Sequence, residues 1–405
     1  MRRVAIIGGG VTGCSVAWHL ASQNIGEIHL FERDQLGSGT TWHSAGNITW
    51  KPVDDNDAPV LYLLDLIKRL EDETNLTSGW RTTGRLFLAR DTDTLDMFSG
   101  FHEGALDRGV DARMLSPREA SGLHPLLEAS SLSGAWLNPL AGYLNPADLV
   151  TLYARSARAL GAELHEQSNV SNLTTTNGHI TGIVCGDETL EFDDVIICGG
   201  LWSSPLVAEQ GVTLAQGGCE HFYIILDIDP RLASSTPSFV SPSDFIYGRE
   251  EVGGLLLGCF DEQANTIDIS NLPDPFSFSL LNENWDKFSP YFDRAAELFP
   301  ALLNAPVRRF VNGPEAFTPD GNPFIGPVSD IDGLWLCTGM NSHGVTISGA
   351  SGHIIADMLA DREPRFAIDL YAPGRFGTKA RDEVWLEKMI SDAPSSFYQN
   401  VNPKK

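Results

Sequence analysis

Three glycines in the segment GGGVTG, Gly8, Gly10 and Gly13, follow the apolar run Arg3 to Ile7 and open a helix-like segment. A turn of this kind points several backbone N–H groups and the positive end of a helix at one place, the arrangement that holds a pyrophosphate. Each glycine has its own task. Gly8 makes the tight turn, Gly10 admits the phosphates to the backbone, and Gly13 lets the helix pack closely on the strand. Glu32 lies 19 residues beyond Gly13, at the end of the next apolar run, where it can accept hydrogen bonds from ribose hydroxyls. A glycine match alone would be weak evidence. The order strand, turn, helix, strand, acid is what predicts a dinucleotide site.

The elements that must carry this site show as periodicities. Residues 3–7 and 28–32 read as strands, and between them Val16, Ala17 and Leu20 recur at helical spacing. The polar, glycine-rich loop GSGTTWHSAG (37–46) precedes a helix running through Leu61, Leu64, Ile67 and Leu70. Alternating patterns with Asn-Gly and Gly-Asp turns predict hairpins over 84–90 and 162–200, the second ending in the strand VIIC before Gly199 and Gly200. HFYIILDI, DFIYGREE and GGLLLGCF, within 212–262, predict further antiparallel strands, and 377–405 reads as a polar tail. Residues 334–337, the turn 339–344 and a helix over 345–359 repeat the strand-turn-helix pattern of the N-terminus. NAD and FAD share the N-terminal fingerprint. An NAD dehydrogenase would continue with parallel βα units, whereas this chain turns to mostly antiparallel patterns, which favours a flavin.

Composition narrows the partners. With 28 basic against 53 acidic residues the net charge is −25, which repels phosphate backbones and anionic lipid headgroups. No nucleic acid and no membrane is expected as a partner, and the acidic surface is read as serving solubility or a salt-rich habitat. The six cysteines form no C-x-x-C pair and read as buried thiols, so no metal is expected. Met1 leads directly into the first strand and no apolar run approaches the roughly 20 residues that span a bilayer, so a cytoplasmic location is expected.

GGGVTG, FERDQLGSGTTWHSAG, YLNPADLV, VIICGGLWS, YGREEVGGLLLGCFDE and GPEAFTPDGNPFIGP occur in this order. Together they resemble the D-amino-acid-oxidase-type FAD-dependent oxidoreductases, in their dimethylglycine/sarcosine dehydrogenase (oxidase) branch. The resemblance spans nearly all of residues 1–376. It implies an α/β (α+β) fold, with a Rossmann-like FAD-binding domain (1–80, 145–212 and 313–376) interleaved with a mostly antiparallel β-sheet substrate-binding domain (81–144 and 213–312).

The resemblance also implies site residues. Thr41-Trp42-His43-Ser44-Ala45-Gly46 matches the segment where this branch attaches a histidine to the flavin 8α-methyl group, so His43 is expected to carry the FAD covalently. The other reading of His43 is a loop histidine bonded to pyrophosphate or backbone. Sarcosine oxidases of the monomeric type use a cysteine in the region of EAFTPDG, and Phe317 and Thr318 stand here instead. Val11, Thr12, Arg33, Ser38, Gly39, Thr40, Thr41 and Trp42 are expected around the pyrophosphate and flavin edge, with Val170 at the adenine and Gly199 and Trp202 in the same cofactor wall. Gly339, Asn341, Ser342, His343, Gly344, Val345 and Thr346 lead into the last helix, whose N–H groups and dipole would stabilise negative charge on the reduced flavin. His221 and Tyr247 match positions that face the flavin in dimethylglycine-oxidising enzymes, although either could be a satisfied residue of the sheet. Arg249 is a candidate carboxylate clamp, or else a member of a surface ion pair.

One departure concerns the substrate. Thr346 stands where sarcosine oxidases place a carboxylate-binding lysine, their arginine after the flavin loop is missing, and Lys51 is the candidate replacement. The implied reaction is oxidation of a secondary or tertiary N-methyl amine by hydride transfer to flavin N5, with hydrolysis of the iminium to formaldehyde and the demethylated amine. O2 or an electron-transfer flavoprotein would accept the electrons. Longer relatives carry a C-terminal folate-binding domain that this chain is too short to include, so a separate folate-dependent subunit would be needed to capture the one-carbon unit. Two other functions fit the residues: oxidation of a primary amino acid or 2-hydroxy acid on a non-covalent flavin, and a non-catalytic regulatory subunit.

Overall fold

The computed structural model describes residues 1–49, 58–229, 231–273, 276 and 281–399. Its first layer is a six-stranded sheet in the spatial order Phe324–Pro327, Leu334–Thr338, Asp194–Ile197, Arg3–Ile7, Glu27–Phe31 and Glu163–His165. All pairings are parallel except that of the first two strands. Strands buried on both faces need no polar alternation, which is why AII and VII read as continuous apolar runs. The helix Val11–Ser22 is buried from Val11 through Ala21. It packs against the helices Pro146–Ala159 and Ser348–Leu359 on one side of the sheet. His19 is buried in this layer between the Ser15 carbonyl (2.7 Å) and the Tyr62 hydroxyl (2.9 Å), and burial lowers its pKa to about 3, so it serves as a neutral core residue.

The second layer is a nine-stranded, mostly antiparallel sheet. Its longest ladder joins Gly217–Leu226 to Val307–Phe317 along nearly their whole lengths. Gly254–Cys259 and Ile246–Glu251 form a hairpin beside the former strand. The remaining strands are Ser238–Ser241, Arg85–Ala89, Gly134–Asn138 and Arg113–Leu115 on one side and Thr266–Ile267 on the other. The α/β fold with a large antiparallel sheet is therefore the expected one.

Local expectations were met where turns carry their own chemistry. The strands Val170–Thr176 and His179–Cys185 are joined by Asn177-Gly178, both at positive φ (53° and 78°), the requirement of a two-residue hairpin turn. Two expectations need correction. Residues 84–90 hold a single strand, Arg85–Ala89, and not a hairpin; its partners are Gly134–Asn138 and, in parallel, Ser238–Ser241, both remote in sequence. Residues 377–399 are ordered, as a short 3₁₀ turn at Gly377–Arg381 and a helix at Glu383–Gln399. Ile390 on that helix is 2% exposed and sits over Gly217, which explains why a side chain is missing there. Of the six cysteines, five are buried and Cys185 is half-buried, and all are unbridged. Among the described residues no helix is long and apolar enough to cross a membrane.

Candidate active site

A cleft of about 1310 Å³ runs between the carboxyl ends of the parallel strands and the large sheet. At one end it meets the glycine turn. A Cβ on Gly13 would stand 1.9 Å from the Gly8 carbonyl oxygen, and one on Gly8 would stand 2.5 Å from the Cys198 carbonyl oxygen, so both positions exclude any side chain. Gly8 also lies at φ +110°. Gly10 caps the helix Val11–Ser22 without a side-chain bond, while the Thr41 hydroxyl accepts from the Val11 N–H at 3.1 Å. Glu32 accepts from the Gly9 N–H at 2.7 Å and from the Asp34 N–H at 2.9 Å, and faces the same cleft. Arg33 lies 3.8 Å above the Trp202 ring, and with Val170 and Gly199 these residues form the far wall. The glycine cradle, the acid at Glu32 and a cleft of this volume, lined also by Val170 and by residues of the turn 339–344, fit an FAD. Gly13→Ala tests this fit: the added methyl must displace the Gly8 peptide, so retention of FAD by the purified variant is expected to fall at least tenfold, read as flavin absorbance per chain.

The loop carrying His43 is fixed from several directions. Ser38, Gly39, Thr40, Thr41, Trp42 and Ser44 line the cleft. The Thr40 hydroxyl donates to the Pro314 carbonyl at 3.2 Å, and Arg249 Nε donates to the Ala45 carbonyl at 2.7 Å. His43 itself is 3% exposed, with its ring laid on Gly313, where a Cβ would come within 2.6 Å of Cε1 and Nε2. Gly313 and Glu315 share a face of the strand Val307–Phe317, so the ring lies beside the Glu315 carboxylate. Burial lowers the pKa of His43 to about 4, partly opposed by Glu315, which leaves the imidazole neutral above that pH. His43 is not among the cleft-lining residues, although its neighbours on both sides are.

His221, Tyr247, Glu315 and Ser342 form one hydrogen-bonded chain at the cleft wall. His221 Nδ1 lies 3.1 Å from Glu315 Oε2 and 3.3 Å from the Ser342 hydroxyl, and Nε2 lies 3.3 Å from the Tyr247 hydroxyl. Ser342 also donates to Glu315. Glu315 and Ser342 line the cleft. Burial pushes the Glu315 carboxyl up, but the charge and hydrogen bond of His221, the charge of His43 and the Ser342 hydroxyl outweigh it and hold the pKa down at about 2. An ionised carboxylate only accepts, so His221 Nδ1–H donates to Glu315, and Nε2 faces the Tyr247 hydroxyl. Tyr247 pairs across the hairpin with Gly258, where a Cβ would stand 2.3 Å from the ring, so Gly258 provides the seat of the ring.

Other expected residues have different surroundings. Arg249 is 7% exposed and is held by Glu251, by the carbonyls of Ala45 and Glu250, and by the Tyr143 ring at 4.6 Å. The ion pair is buried, not at the surface as expected, and the Arg249–Ala45 bond ties the His43 loop to the large sheet. Asn341, at φ 49°, accepts from the Thr318 N–H at 2.8 Å and so fastens the turn 339–344 to the end of the long strand. The last helix begins at Ser348, three residues later than expected, because a turn closed by the Ile347 N–H on the His343 carbonyl (3.0 Å) comes first. The cleft is lined by Gly339, Asn341, Ser342, Gly344 and Val345 of this turn, while the Thr346 hydroxyl points to the Asn47 carbonyl at 3.4 Å. Lys51 lies outside the described residues. Sequence reasoning missed Glu315, Gly313 and Arg309, whose guanidinium sits 5.6 Å from the Trp42 ring at the cleft rim.

The chain is 28% identical to the mitochondrial sarcosine dehydrogenase of Mus musculus over 99% of its length, covering 44% of that protein. It is also 28% identical to the 4-methylaminobutanoate oxidase (formaldehyde-forming) of Paenarthrobacter nicotinovorans over 98% of its length, covering 48% of that protein. It thus spans less than half the length of these curated relatives. The structure of L-proline dehydrogenase from P. horikoshii superposes with a TM-score of 0.81 at 24% identity, over 93% of this chain and 98% of that one. Residues 3–358 match the family described as FAD dependent oxidoreductase, and the chain belongs to that DAO family.

Proposed function

We propose that the protein demethylates a secondary or tertiary N-methyl amine or amino acid, of the dimethylglycine or sarcosine kind, to formaldehyde and the shortened amine. FAD, when bound, supplies the hydride acceptor at N5. The observation that carries this reading is the Tyr247–His221–Glu315–Ser342 chain at the cleft wall. A hydride can leave only when the nitrogen lone pair is free to follow, so the reacting amine is neutral and becomes a cationic iminium. The ionised Glu315 carboxylate stabilises that growing positive charge in a site where it is itself buried. His221 holds the carboxylate in place, and Tyr247 fixes the ring of His221. The iminium then takes up water and breaks down.

His43 is proposed as the covalent anchor of the flavin, since its neutral ring offers a lone pair. The six-stranded sheet with its helices is the cofactor-binding part, and the nine-stranded sheet with the long hairpin is the substrate part. O2 or an electron-transfer flavoprotein takes up the electrons.

The test is an anaerobic panel of amines: N,N-dimethylglycine, sarcosine and 4-methylaminobutanoate, with glycine and a 2-hydroxy acid as controls. At least one N-methyl compound should bleach the flavin and release one formaldehyde per flavin reduced. Bleaching by a control without formaldehyde, or by nothing in the panel, would overturn the proposal in favour of the other oxidase chemistry or a regulatory subunit.

A further inference from the structure

We propose that His29, Glu163 and His165, none of which lines the flavin cleft, bind one divalent transition-metal ion at the outer edge of the six-stranded sheet. The strands Glu27–Phe31 and Glu163–His165 pair in parallel, with His29 opposite Glu163 and Phe31 opposite His165. The alternation of a strand puts all three ligating side chains on one face. One ligand atom from each lies within 4.8 Å of the others. His29 Nδ1 is 3.2 Å from His165 Nε2 and 3.6 Å from Glu163 Oε2, and His165 Nε2 is 3.8 Å from the same oxygen. Bonds of about 2.0–2.1 Å to a tetrahedral ion put its ligand atoms about 3.3 Å apart, so the three atoms already lie near the edges of such a site.

The surroundings are those of a metal ligand as well. His29 Nε2 donates to Glu27 Oε1 at 2.7 Å, and Glu27 is held in turn by Arg3 at 3.4 Å. With its Nε2 proton committed to a carboxylate, His29 turns the lone pair of Nδ1 toward His165 and Glu163, the outer-shell arrangement that orients metal-bound histidines. The His29 ring is 7% exposed and seated against Phe31 and Phe192, while Glu163 is exposed and leaves room for a water as fourth ligand. Imidazole with a carboxylate suits Zn²⁺, Cu²⁺ or Ni²⁺.

The consequence is mechanical. Glu163–His165 is a three-residue edge strand, and an ion bridging it to its neighbour fastens the edge. The His165 carbonyl accepts from the Glu32 N–H at 2.9 Å, and the Glu32 carbonyl accepts from the Ser168 N–H at 2.8 Å. The clip therefore steadies the backbone that carries the ribose acid.

The experiment titrates Zn²⁺ into the chelator-washed, flavin-loaded protein against a chromogenic chelator. One ion per chain is expected. Glu163→Gln should weaken it at least tenfold and His165→Ala at least a hundredfold, two substitutions at the surface that leave the fold intact. Glu27→Gln touches no ion in this arrangement and should still weaken binding about 10–100-fold. No stoichiometric binding by the wild type, or an affinity unchanged in His165→Ala, would overturn the site; an affinity unchanged in Glu27→Gln would overturn the oriented His29 on which it rests.

Discussion

Glu315→Gln is expected to lower the plateau kcat about a hundredfold or more on the amine substrate while leaving the far-ultraviolet circular dichroism unchanged. The amide keeps the size and can still accept from His221 and Ser342, but it no longer carries the charge that faces the forming iminium. The pH profile separates this from a loosened site. In the wild type the rate rises with pH as the bound amine loses its proton, while the hydrogen bonds from His221 and Ser342 hold the Glu315 carboxylate in its ionised form. The nearby carboxylate favours the ammonium form and so raises the amine's pKa in the complex. Removing the charge must therefore shift the rise to lower pH while the plateau falls. His221→Asn should also slow the reaction, and the double variant should be little worse than the slower single one, because the residues act as a unit. An unchanged plateau and inflection in Glu315→Gln would remove the carboxylate from the chemistry. A rate that does not depend on pH would remove the neutral-amine step.

The parts of this site that the sequence announces are those whose geometry is local. The glycine turn, the helix after it and Glu32 lie within one βαβ unit, where spacing alone determines which groups meet. The Asn177-Gly178 hairpin is legible for the same reason. Non-local pairing is not. Nothing in residues 84–90 says that their partners are 134–138 and 238–241, since a strand pattern shows which face is buried and not which strand lies beside it. The helix at Glu383–Gln399 was missed because its buried face is narrow, resting on residues such as Ile390 and Ala393 among many polar ones, and Pro394 interrupts its pattern.

Glu315 was legible in principle. An acid within a strand whose neighbours Pro314 and Phe317 are buried must be paired, because an isolated buried charge is prohibitively costly. The identity of its partners was beyond reach, as His221 and Ser342 come from other elements. The same holds for His29, Glu163 and His165, which no sequence spacing unites and a single parallel pairing does. Resemblance to a family supplied His221, Tyr247 and His43. The structure adds the reasons why their rings fit, in the bare Cα positions of Gly258 and Gly313.

Acid precipitation of the wild-type protein is expected to leave nearly all the yellow colour and flavin fluorescence in the pellet, whereas His43→Ala should release nearly all of it to the supernatant. The loop geometry sharpens this expectation. Thr40 on Pro314 and Arg249 on Ala45 anchor the loop on either side of His43, and the ring can lie where it does only because Gly313 has no side chain. Gly313→Ala should therefore push the ring from its seat and release colour too, although the histidine is still present. Burial lowers the pKa of His43 to about 4, so the ring is neutral at any higher pH, and attachment of added FAD to the apoprotein should proceed equally at pH 6 and pH 8. Because a covalent link withdraws electron density from the ring system and raises its potential, His43→Ala reconstituted with FAD should also oxidise the amine more slowly, by about tenfold or more. Wild-type colour that acid removes would show that His43 is a loop residue alone and that the flavin is bound without a covalent link. Colour that survives in His43→Ala would show that another residue carries the bond.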